Sequence, residues 1–564
     1  MKRAHDHRRT IKRLLHRGGI AAVALLLAPG GGRLAAQDLE GIGEKPAVTV
    51  AGSVAGRGVA YASDGIARRR SPFSYSLTGS VDVNIYDLDL PFSFTLSEQD
   101  RSLSQPFNQF GVSPHYKWIT AHLGYRNLTF SPYTLAGYQM LGGGIELNPG
   151  DFRLGFIAGR LNRAVEEDTT RPSVAPAYQR NGFSGRIGYG SEANHIDLIM
   201  LKAADDAGSL RTIPIGSDVR PAENLVLGAS GRATLVQGLG IYGDFAISDY
   251  TRDTRSDKLN ASDVEILSDA IPPRTSTQLC MALTAGLSFN IGTFNLGAIY
   301  SRIDPDYKSM GAYYLSGDLE SVTLTPAIAL LDNTLYLNGS LGFQHDNIQG
   351  KKRATTQRIS PMLTASYSPA GPFGLTLQAG DLLTSQRAGT IPLNDTIRMA
   401  QRNPSLVISP RYSIDDSAIA HSFQGSVSYQ GLIDGNAFTA EYSEYTSLGA
   451  DISYTLSLPP ADAGITASVS RNSLANVGGT YGSTGFALAG SKGLAGRKVS
   501  LNGSLGLSLF PAGNTVNAGA GGVWRPDEHQ TINLNLSLTT SSASDAVRRS
   551  IHEYITVLSY AYTF

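Results

Sequence analysis

The chain has a single cysteine, Cys280, so no disulfide can form within it, and a lone buried thiol is expected. After residue 36 no apolar run approaches the roughly 18 residues of a transmembrane helix. Basic and acidic side chains balance at 47 each, which gives no electrostatic basis for binding nucleic acid. No linker, low-complexity tract or fixed-length repeat divides the sequence, which argues against several soluble domains, a propeller or a solenoid.

Residues 1–36 have the features of a secretory signal peptide. Basic residues crowd the first 17 positions, and the apolar run 19–28 is too short to span a bilayer. Small residues precede Ala36, after which we predict cleavage. Arg8 and Arg9 also suggest a twin-arginine signal, but that pathway exports folded cargo, whereas a membrane barrel must arrive unfolded. Removing this segment leaves 39 basic and 46 acidic side chains, a net charge of −7.

Apolar and small polar residues alternate with a period of two in several stretches, clearly so in 334–344, 498–510 and 531–539. Helical spacing would scatter such residues around a cylinder, whereas a pleated strand places them on opposite faces. The sequence therefore predicts an all-β protein. The apolar faces comprise Leu335, Leu337, Leu341 and Phe343; Val499, Leu501, Leu505, Leu507 and Leu509; and Ile532, Leu534, Leu536 and Leu538.

The polar faces of these strands carry few charged side chains. Ser, Thr, Asn and Gly dominate them, whereas a water-exposed strand of a soluble protein usually carries Lys and Glu. Small polar residues opposite a band of aliphatic and aromatic residues are typical of a membrane barrel with a wet lumen. A secreted β-sandwich, with one face of each sheet buried, would show the same period and is the alternative.

The connections between candidate strands test how many strands there are. We count about 26 candidates, each long enough to cross a bilayer at a tilt. Long loops and short turns alternate between residues 152 and 403, as in barrels with long outer loops and short periplasmic turns. With both termini periplasmic, this alternation leaves one strand too many at each end. We therefore expect a single antiparallel transmembrane β-barrel of about 24 strands, within a range of 22 to 26. The long loops are 163–177, 205–221, 251–275, 305–317, 347–355 and 386–403, and the short turns are 190–192, 237–239, 291–292, 332–333 and 369–372.

Residues 551–564, IHEYITVLSYAYTF, predict a last strand with aromatic residues on one face, as in an interfacial aromatic girdle. This segment resembles the terminal strand of bacterial outer-membrane proteins, which the barrel-assembly machinery recognises by alternating aromatics that end in Phe. The resemblance makes Tyr560, Tyr562 and Phe564 the assembly signal. It does not extend to the Gly often found earlier in that signal, near whose place Ser559 stands. The implied location is the outer membrane of a Gram-negative-type cell.

Residues 105–149 resemble a segment of outer-membrane barrels of unassigned function from Bacteroidota-type bacteria. The matching pieces are QPFNQFG at 105–111 and GGGIEL at 142–147. The resemblance implies lineage and no activity. Three successive glycines in a strand permit close backbone approach or a bend of the wall. Phe107 and Phe110 either fold into the lumen or pack a periplasmic turn, and we expect the second.

TonB-dependent transporters have a lumen filled by a plug domain ahead of the barrel. Here only residues 37–46 separate the signal peptide from the first candidate strand. We therefore do not expect energised uptake.

No set of residues predicts an enzyme, a cofactor or a metal site. His195 and Asp197 share a strand face, but nucleophilic catalysis needs a Ser, a base and an orienting group to converge. Carboxylates in two long loops have no spacing that matches a known calcium loop. We expect no enzymatic activity. The other histidines considered are His115, His122, His345 and His421, and the loop carboxylates are Asp205, Asp206, Asp253, Asp257 and Asp263.

Loop 251–275 alternates in the sign of its charges and is our candidate constriction loop. A loop that folds inward to narrow a pore can line it with both signs. A solvated surface loop would have the same composition. The residues concerned are Arg252, Asp253, Arg255, Asp257 and Lys258.

These observations predict a signal peptide (1–36), a short N-terminal segment (37–72) and a transmembrane barrel (73–564). The expected function is a passive porin-like channel for small solutes with weak ion selectivity. The alternative is a structural or secretion-associated outer-membrane barrel without conductance of its own, and a soluble secreted β-protein is the third class. Expected partners are outer-membrane lipid, the assembly machinery and small solutes, with no nucleic acid. The sequence indicates neither a particular solute nor an oligomeric state.

Overall fold

A computed structural model describes residues 48–98, 108–168, 174–212, 218–259, 272–543 and 550–564. Residues 50–564 form one compact unit, and of the other unit, residues 1–49, only Val48 and Thr49 are described. The expected signal peptide, Phe107 and Asp263 lie outside the described residues. No helix among the described residues is both long and apolar enough to cross a membrane.

All described strand segments belong to one antiparallel sheet. Three strands are each broken into two segments, and both segments of each pair with the same two neighbouring strands, so the barrel has 26 strands. The first thirteen are β1 (Val48–Asp64), β2 (Phe73–Ile85), β3 (Leu88–Ser97), β4 (Gln109–Val112 and His115–Tyr116), β5 (Ile119–Thr129), β6 (Ala136–Leu147), β7 (Phe152–Asn162), β8 (Gln179–Gly190), β9 (His195–Asp206), β10 (Glu223–Val236), β11 (Leu239–Thr251), β12 (Thr277–Ile291) and β13 (Phe294–Ile303).

The second half of the wall includes the other two broken strands. Its connections also contain a single-turn helix, α1 (Ala440–Ser443), and a 3-10 turn (Pro459–Ala461). The strands are β14 (Leu319–Leu330), β15 (Leu335–His345), β16 (Ala354–Tyr367), β17 (Phe373–Gly380 and Leu383–Ala388), β18 (Ala400–Arg402 and Ser405–Asp415), β19 (Ala420–Asp434), β20 (Tyr445–Leu458), β21 (Ala463–Asn476), β22 (Gly479–Leu494), β23 (Val499–Phe510), β24 (Gly513–Trp524), β25 (Gln530–Ala543) and β26 (Ile551–Thr563).

The sheet closes because the last strand pairs with the first. β26 runs antiparallel to β1 from the pair Ser53–Thr563 to the pair Asp64–His552. Next to this ladder, Gly52 and Phe564 exchange two backbone hydrogen bonds of 2.9 and 3.0 Å. Closure leaves no open edge on the sheet. The predicted fold class, a single large antiparallel β-barrel, is confirmed.

The two faces of the wall separate as the period of two predicts. On β23, Leu501 and Leu505 are 46% and 55% exposed, and on β25, Leu534 and Leu536 are 42% and 46% exposed. The strand register keeps these apolar rows aligned, because Leu505 faces Ala518 of β24, which in turn faces Leu538 of β25. In a β-sandwich such faces would be buried against a second sheet. Their exposure on the outside of a closed barrel is the arrangement of a lipid-facing wall.

Connections that follow odd-numbered strands lie at one end of the barrel, and those that follow even-numbered strands lie at the other. The first end carries all the predicted long loops and the second all the predicted short turns, so we call them the long-loop end and the short-turn end. Because 26 is even, β1 begins and β26 ends at the short-turn end.

The strand number lies at the top of the expected range and two above the estimate of 24. The alternation of long loops and short turns lowered the estimate from 26 strands to 24, and the structure shows that this step was wrong for two physical reasons. The connections 477–478 and 511–512 are short although they lie at the long-loop end, so loop length stops distinguishing the ends there. Pro114 has no N–H to donate to a ladder and lies between the two short segments of β4. The sequence of this region therefore does not read as one strand.

Two further expectations about the wall need correction. β1 lies within the predicted N-terminal segment 37–72, so the barrel begins before residue 73. Phe110 neither enters the lumen nor packs a turn, because it is exposed on the outer face of β4, edge-on to Tyr125 at 5.9 Å. The expected close approach at the glycine triplet is confirmed, since a Cβ on Gly144 would lie 2.7 Å from the carbonyl oxygen of Phe156.

Candidate functional site: an inward-folded constriction

Two connections at the long-loop end fold back against the inside of the wall. They are residues 130–135, between β5 and β6, and residues 304–318, between β13 and β14, which we call the inner turn and the inner loop. They cover an apolar sector that the inner faces of β6 to β12 provide. On β9, for example, Ile199 and Leu201 are buried while the alternate residue Leu198 points outward and is 62% exposed. The resulting apolar cluster includes Phe130, Tyr133, Leu135, Met140, Ile157, Ile199, Leu201, Val226, Ala246, Ala282, Tyr307 and Met310.

Two fully buried polar residues of the wall hold the inner loop in place. The side-chain oxygen of Asn224 accepts a hydrogen bond from the backbone N–H of Met310 at 2.9 Å. The Ser248 hydroxyl donates to the carbonyl oxygen of Lys308 at 2.5 Å, and the Asn224 amide donates to Ser248 at 2.8 Å. Because buried polar groups without partners are costly, this network favours one seated position of the loop.

The inner turn is bound to both the inner loop and the wall. The Tyr307 hydroxyl donates to the carbonyl oxygen of Tyr133 at 2.7 Å, and the Ser309 hydroxyl donates to that of Thr134 at 2.5 Å. The Tyr133 hydroxyl lies 2.5 Å from the hydroxyl of Thr284 on β12. The turn therefore extends along the inside of the barrel from its own strands to β12.

Paired charges line the same sector nearer the short-turn end. The Arg153 guanidinium donates two hydrogen bonds to Asp197, at 2.9 and 3.0 Å, and the Asp197 side chain is only 2% exposed. Arg186 donates to Glu146 at 3.1 Å. Each of these cations has a carboxylate partner, so this stretch of wall adds little net charge to the lumen.

The structure also brings together a serine, a histidine and a carboxylate that the sequence did not connect. The Ser113 hydroxyl lies 2.9 Å from Nδ1 of His122, whose Nε2 lies 3.2 Å from Glu146. Ser113 lies in the break between the two segments of β4, His122 lies on β5 and Glu146 lies on β6, so their spacing in the sequence carries no signal. His122 is buried, and Glu146 also binds Arg186. We interpret the group as a polar network of the wall.

The other histidines make separate contacts. Nδ1 of His195 lies 3.1 Å from the carbonyl oxygen of Ser191, whereas Asp197 binds Arg153. Nδ1 of His421 lies 2.8 Å from the Tyr454 hydroxyl. The structure thus does not join His195 to Asp197.

The two described parts of the candidate constriction loop pair with each other and extend β11 and β12. The backbone N–H of Leu259 donates to the carbonyl oxygen of Pro273 at 2.9 Å, and Lys258 bridges to Arg274. Arg255 donates to Asp253 at 2.9 Å, and this hydrogen bond lowers the pKa of Asp253. Of the alternating charges, Arg255 and Asp253 thus pair with each other, and Asp253 also lies 3.8 Å from Arg220 of the preceding long loop. Among the described residues, the inner turn and the inner loop cover part of the inner wall, and the sequence did not mark either of them as a constriction.

Three of the loop carboxylates considered for calcium, Asp205, Asp206 and Asp253, have protein partners. Arg180 donates to both oxygens of Asp205, at 2.8 and 3.1 Å, and Asp206 accepts the backbone N–H of Gly208. Within the described ranges, no group of three or more His, Cys, Asp and Glu residues is arranged to hold a metal ion.

The residues of the predicted assembly signal lie at the short-turn end. Tyr560 and Tyr562 face outward, and the ring of Phe564 stacks on that of Tyr562 with 6.0 Å between centroids. This placement suits an interfacial aromatic girdle. Recognition by the assembly machinery stays a prediction.

No protein-family model and no curated protein matches the chain. Among solved structures, the P pilus usher translocation pore is similar over 91% of this chain and 99% of its own, with 10% identity and a TM-score of 0.39. OccK5 of Pseudomonas aeruginosa aligns over 64% of this chain and 97% of its own, with 11% identity and a TM-score of 0.32. The FrpB iron transporter from Neisseria meningitidis aligns over 91% of this chain and 82% of its own, with 11% identity and a TM-score of 0.36. At such values these likenesses carry no conclusion about function.

Proposed function

We propose that the protein is a porin-like channel of the outer membrane, through which small polar solutes diffuse passively. The exposed apolar rows on β23 and β25 fit a lipid environment, and the opposite faces of those strands carry Ser, Asn and Thr. A barrel with this many strands is wide enough for an aqueous channel unless loops or a partner fill it.

The observation that carries the proposal is the inner loop fixed to the wall by Asn224 and Ser248. A channel that sorts solutes by diffusion needs a narrow part of defined shape, and loops pinned to one side of the lumen supply it.

The charges of the described wall favour weak ion selectivity. Arg153 and Arg186 are each balanced by a carboxylate, and the inner faces of β23 to β25 are uncharged in the membrane-spanning part. A lumen without an excess of one sign gives no large electrostatic barrier to either ion type.

The test is single-channel recording of the purified barrel in a planar bilayer. The proposal predicts steady open conductance in potassium chloride, with a reversal potential close to zero in a salt gradient. A preparation that keeps its folded gel mobility but never conducts would contradict the channel and support the structural or secretion-associated alternative. The folded state is checked on a denaturing gel, where an unboiled barrel migrates differently from a boiled one.

A further inference from the structure

A cavity of 320 Å³ opens between the inner loop and the wall at the long-loop end. The inner faces of β6, β8 and β11 form one side of it, through Tyr138, Arg180 and Tyr250. Residues 307–315 of the inner loop form the other side. Its volume is in the lower part of the range for small-molecule sites, about 300–1,000 Å³.

Aromatic rings dominate the cavity and leave one flat surface free. The rings of Tyr138 and Tyr313 stack with centroids 4.3 Å apart and planes 17° apart. Tyr314, whose ring centroid lies 6.3 Å from that of Tyr313, is 96% exposed. A fully exposed tyrosine beside a stacked pair offers a planar ligand a surface for offset stacking.

The cavity also contains one cation without a carboxylate partner. Arg180 is neutralised by Asp205. Lys308, by contrast, makes no ion pair within the part of the chain that the structure describes, and its ammonium group lies 5.6 Å from the ring centroid of Tyr250. An adjoining cavity of 770 Å³ is lined by Lys308, Lys351 and Lys352 and also by Asp306 and Asp318, of which Asp318 pairs with Lys352. The site therefore offers a positive charge beside aromatic surface.

We propose that this cavity binds small aromatic carboxylates, whose ring stacks on the tyrosines while the carboxylate pairs with Lys308. A cation–carboxylate pair fixes one end of such a ligand, and ring stacking fixes the other. Neutral sugars would use the rings without the lysine, and small aliphatic acids would use the lysine without the rings. The inference rests on the proposed function only in placing the cavity on the path of a solute.

The experiment is calorimetric titration of the folded, detergent-solubilised barrel with phenylacetate, compared with 2-phenylethanol, acetate and glucose. Phenylacetate should bind most tightly, because it alone has both groups. Lys308→Met should raise its Kd about tenfold, as expected for loss of a charged partner. Tyr314→Ala should raise it severalfold, and this change is safe for folding because the side chain is exposed. The matched control is Lys498→Met, which removes a lysine from a turn at the short-turn end.

Equal affinity for phenylacetate and 2-phenylethanol would overturn the role of Lys308, and equal affinity for phenylacetate and acetate would overturn the role of the rings. If neither Lys308→Met nor Tyr314→Ala changed the Kd for phenylacetate, the ligand would bind elsewhere. If glucose bound more tightly than phenylacetate, the proposed ligand class would be wrong. The two proposals fail separately. Conductance without phenylacetate binding contradicts only the site, whereas binding by a silent barrel contradicts only the channel.

Discussion

Gly311 of the inner loop lies so close to Leu201 of β9 that a methyl group has no room between them. A Cβ on Gly311 would lie 2.8 Å from Cδ1 of Leu201 and 2.8 Å from the carbonyl oxygen of Thr134. Leu201 is fully buried, and the carbonyl oxygen of Gly311 accepts the backbone N–H of Ala136 at 2.9 Å. Gly311 thus brings the inner loop into contact with both the inner turn and the wall.

Gly311→Ala should therefore unseat the loop. Forcing a methyl group into a packed contact costs about 1–3 kcal/mol, so the variant should unfold at a lower temperature. The measurement is the temperature at which the unboiled gel species converts to the boiled one. Gly371→Ala is the matched control, because a Cβ there would meet nothing within 4 Å. Equal conversion temperatures for the two variants would contradict the seated loop.

Asn224→Ala should destabilise the protein by about 1–3 kcal/mol, because it leaves the buried N–H of Met310 without an acceptor. The loosened loop should also increase open-channel current noise. Asn502→Ala, which changes an exposed residue on the inner face of β23, should leave both stability and noise near their wild-type values. If the current noise and the stability of Asn224→Ala matched those of Asn502→Ala, Asn224 would not anchor the loop.

Arg153→Met should destabilise the protein by about 3–5 kcal/mol, because the buried Asp197 carboxylate then has no counter-charge. Adding Asp197→Leu should restore much of the loss, since an apolar pair of similar volume has no charge to bury. A double-mutant cycle on the heat-conversion temperature measures this coupling. Additive effects of the two substitutions would count against a coupled pair.

Asp318, in the inner loop, should make stability depend on pH. Burial alone would raise the pKa of Asp318, but hydrogen bonds from Lys352 and from two backbone N–H groups lower it overall. A carboxyl with a lowered folded-state pKa stabilises the protein above its unfolded pKa of about 3.9, and this contribution is lost as the pH falls through the folded value. Asp318→Asn should thus be less stable than wild type at pH 7, and the difference should shrink towards pH 3.

The control for this pH series is Asp332→Asn, in a short turn where Asp332 has a φ of 52°, which Asn also tolerates. Its difference from wild type should stay small at every pH. A difference between Asp318→Asn and wild type that is constant from pH 7 to pH 3 would exclude the proposed linkage.

The sequence predicts most of the wall, because each strand carries its own signal. Alternation identified β23 and β25 and the face that each turns outward. β4 carries no such signal, since Pro114 divides it into segments too short for periodicity to show.

The position of the inner loop could not be predicted, because contacts distant in sequence hold it there. Tyr307 binds Tyr133 across 174 residues, and Met310 binds Asn224 across 86 residues. The inner loop has the composition of an ordinary surface loop, so only the folded barrel shows that it turns inward. The alternating charges of residues 251–275 keep that loop a candidate constriction, because residues 260–271 lie outside the described residues.

The central claim is that the inner loop narrows a conducting lumen. Its most direct test replaces residues 306–316 with a short Gly-Ser linker and compares single-channel conductance with that of the wild type. Conductance should rise about twofold or more, because the narrowest part of a pore limits its current. The same replacement of residues 389–399, another connection at the long-loop end, should leave conductance unchanged. A silent wild-type barrel, or equal conductance in all three proteins, would contradict the claim.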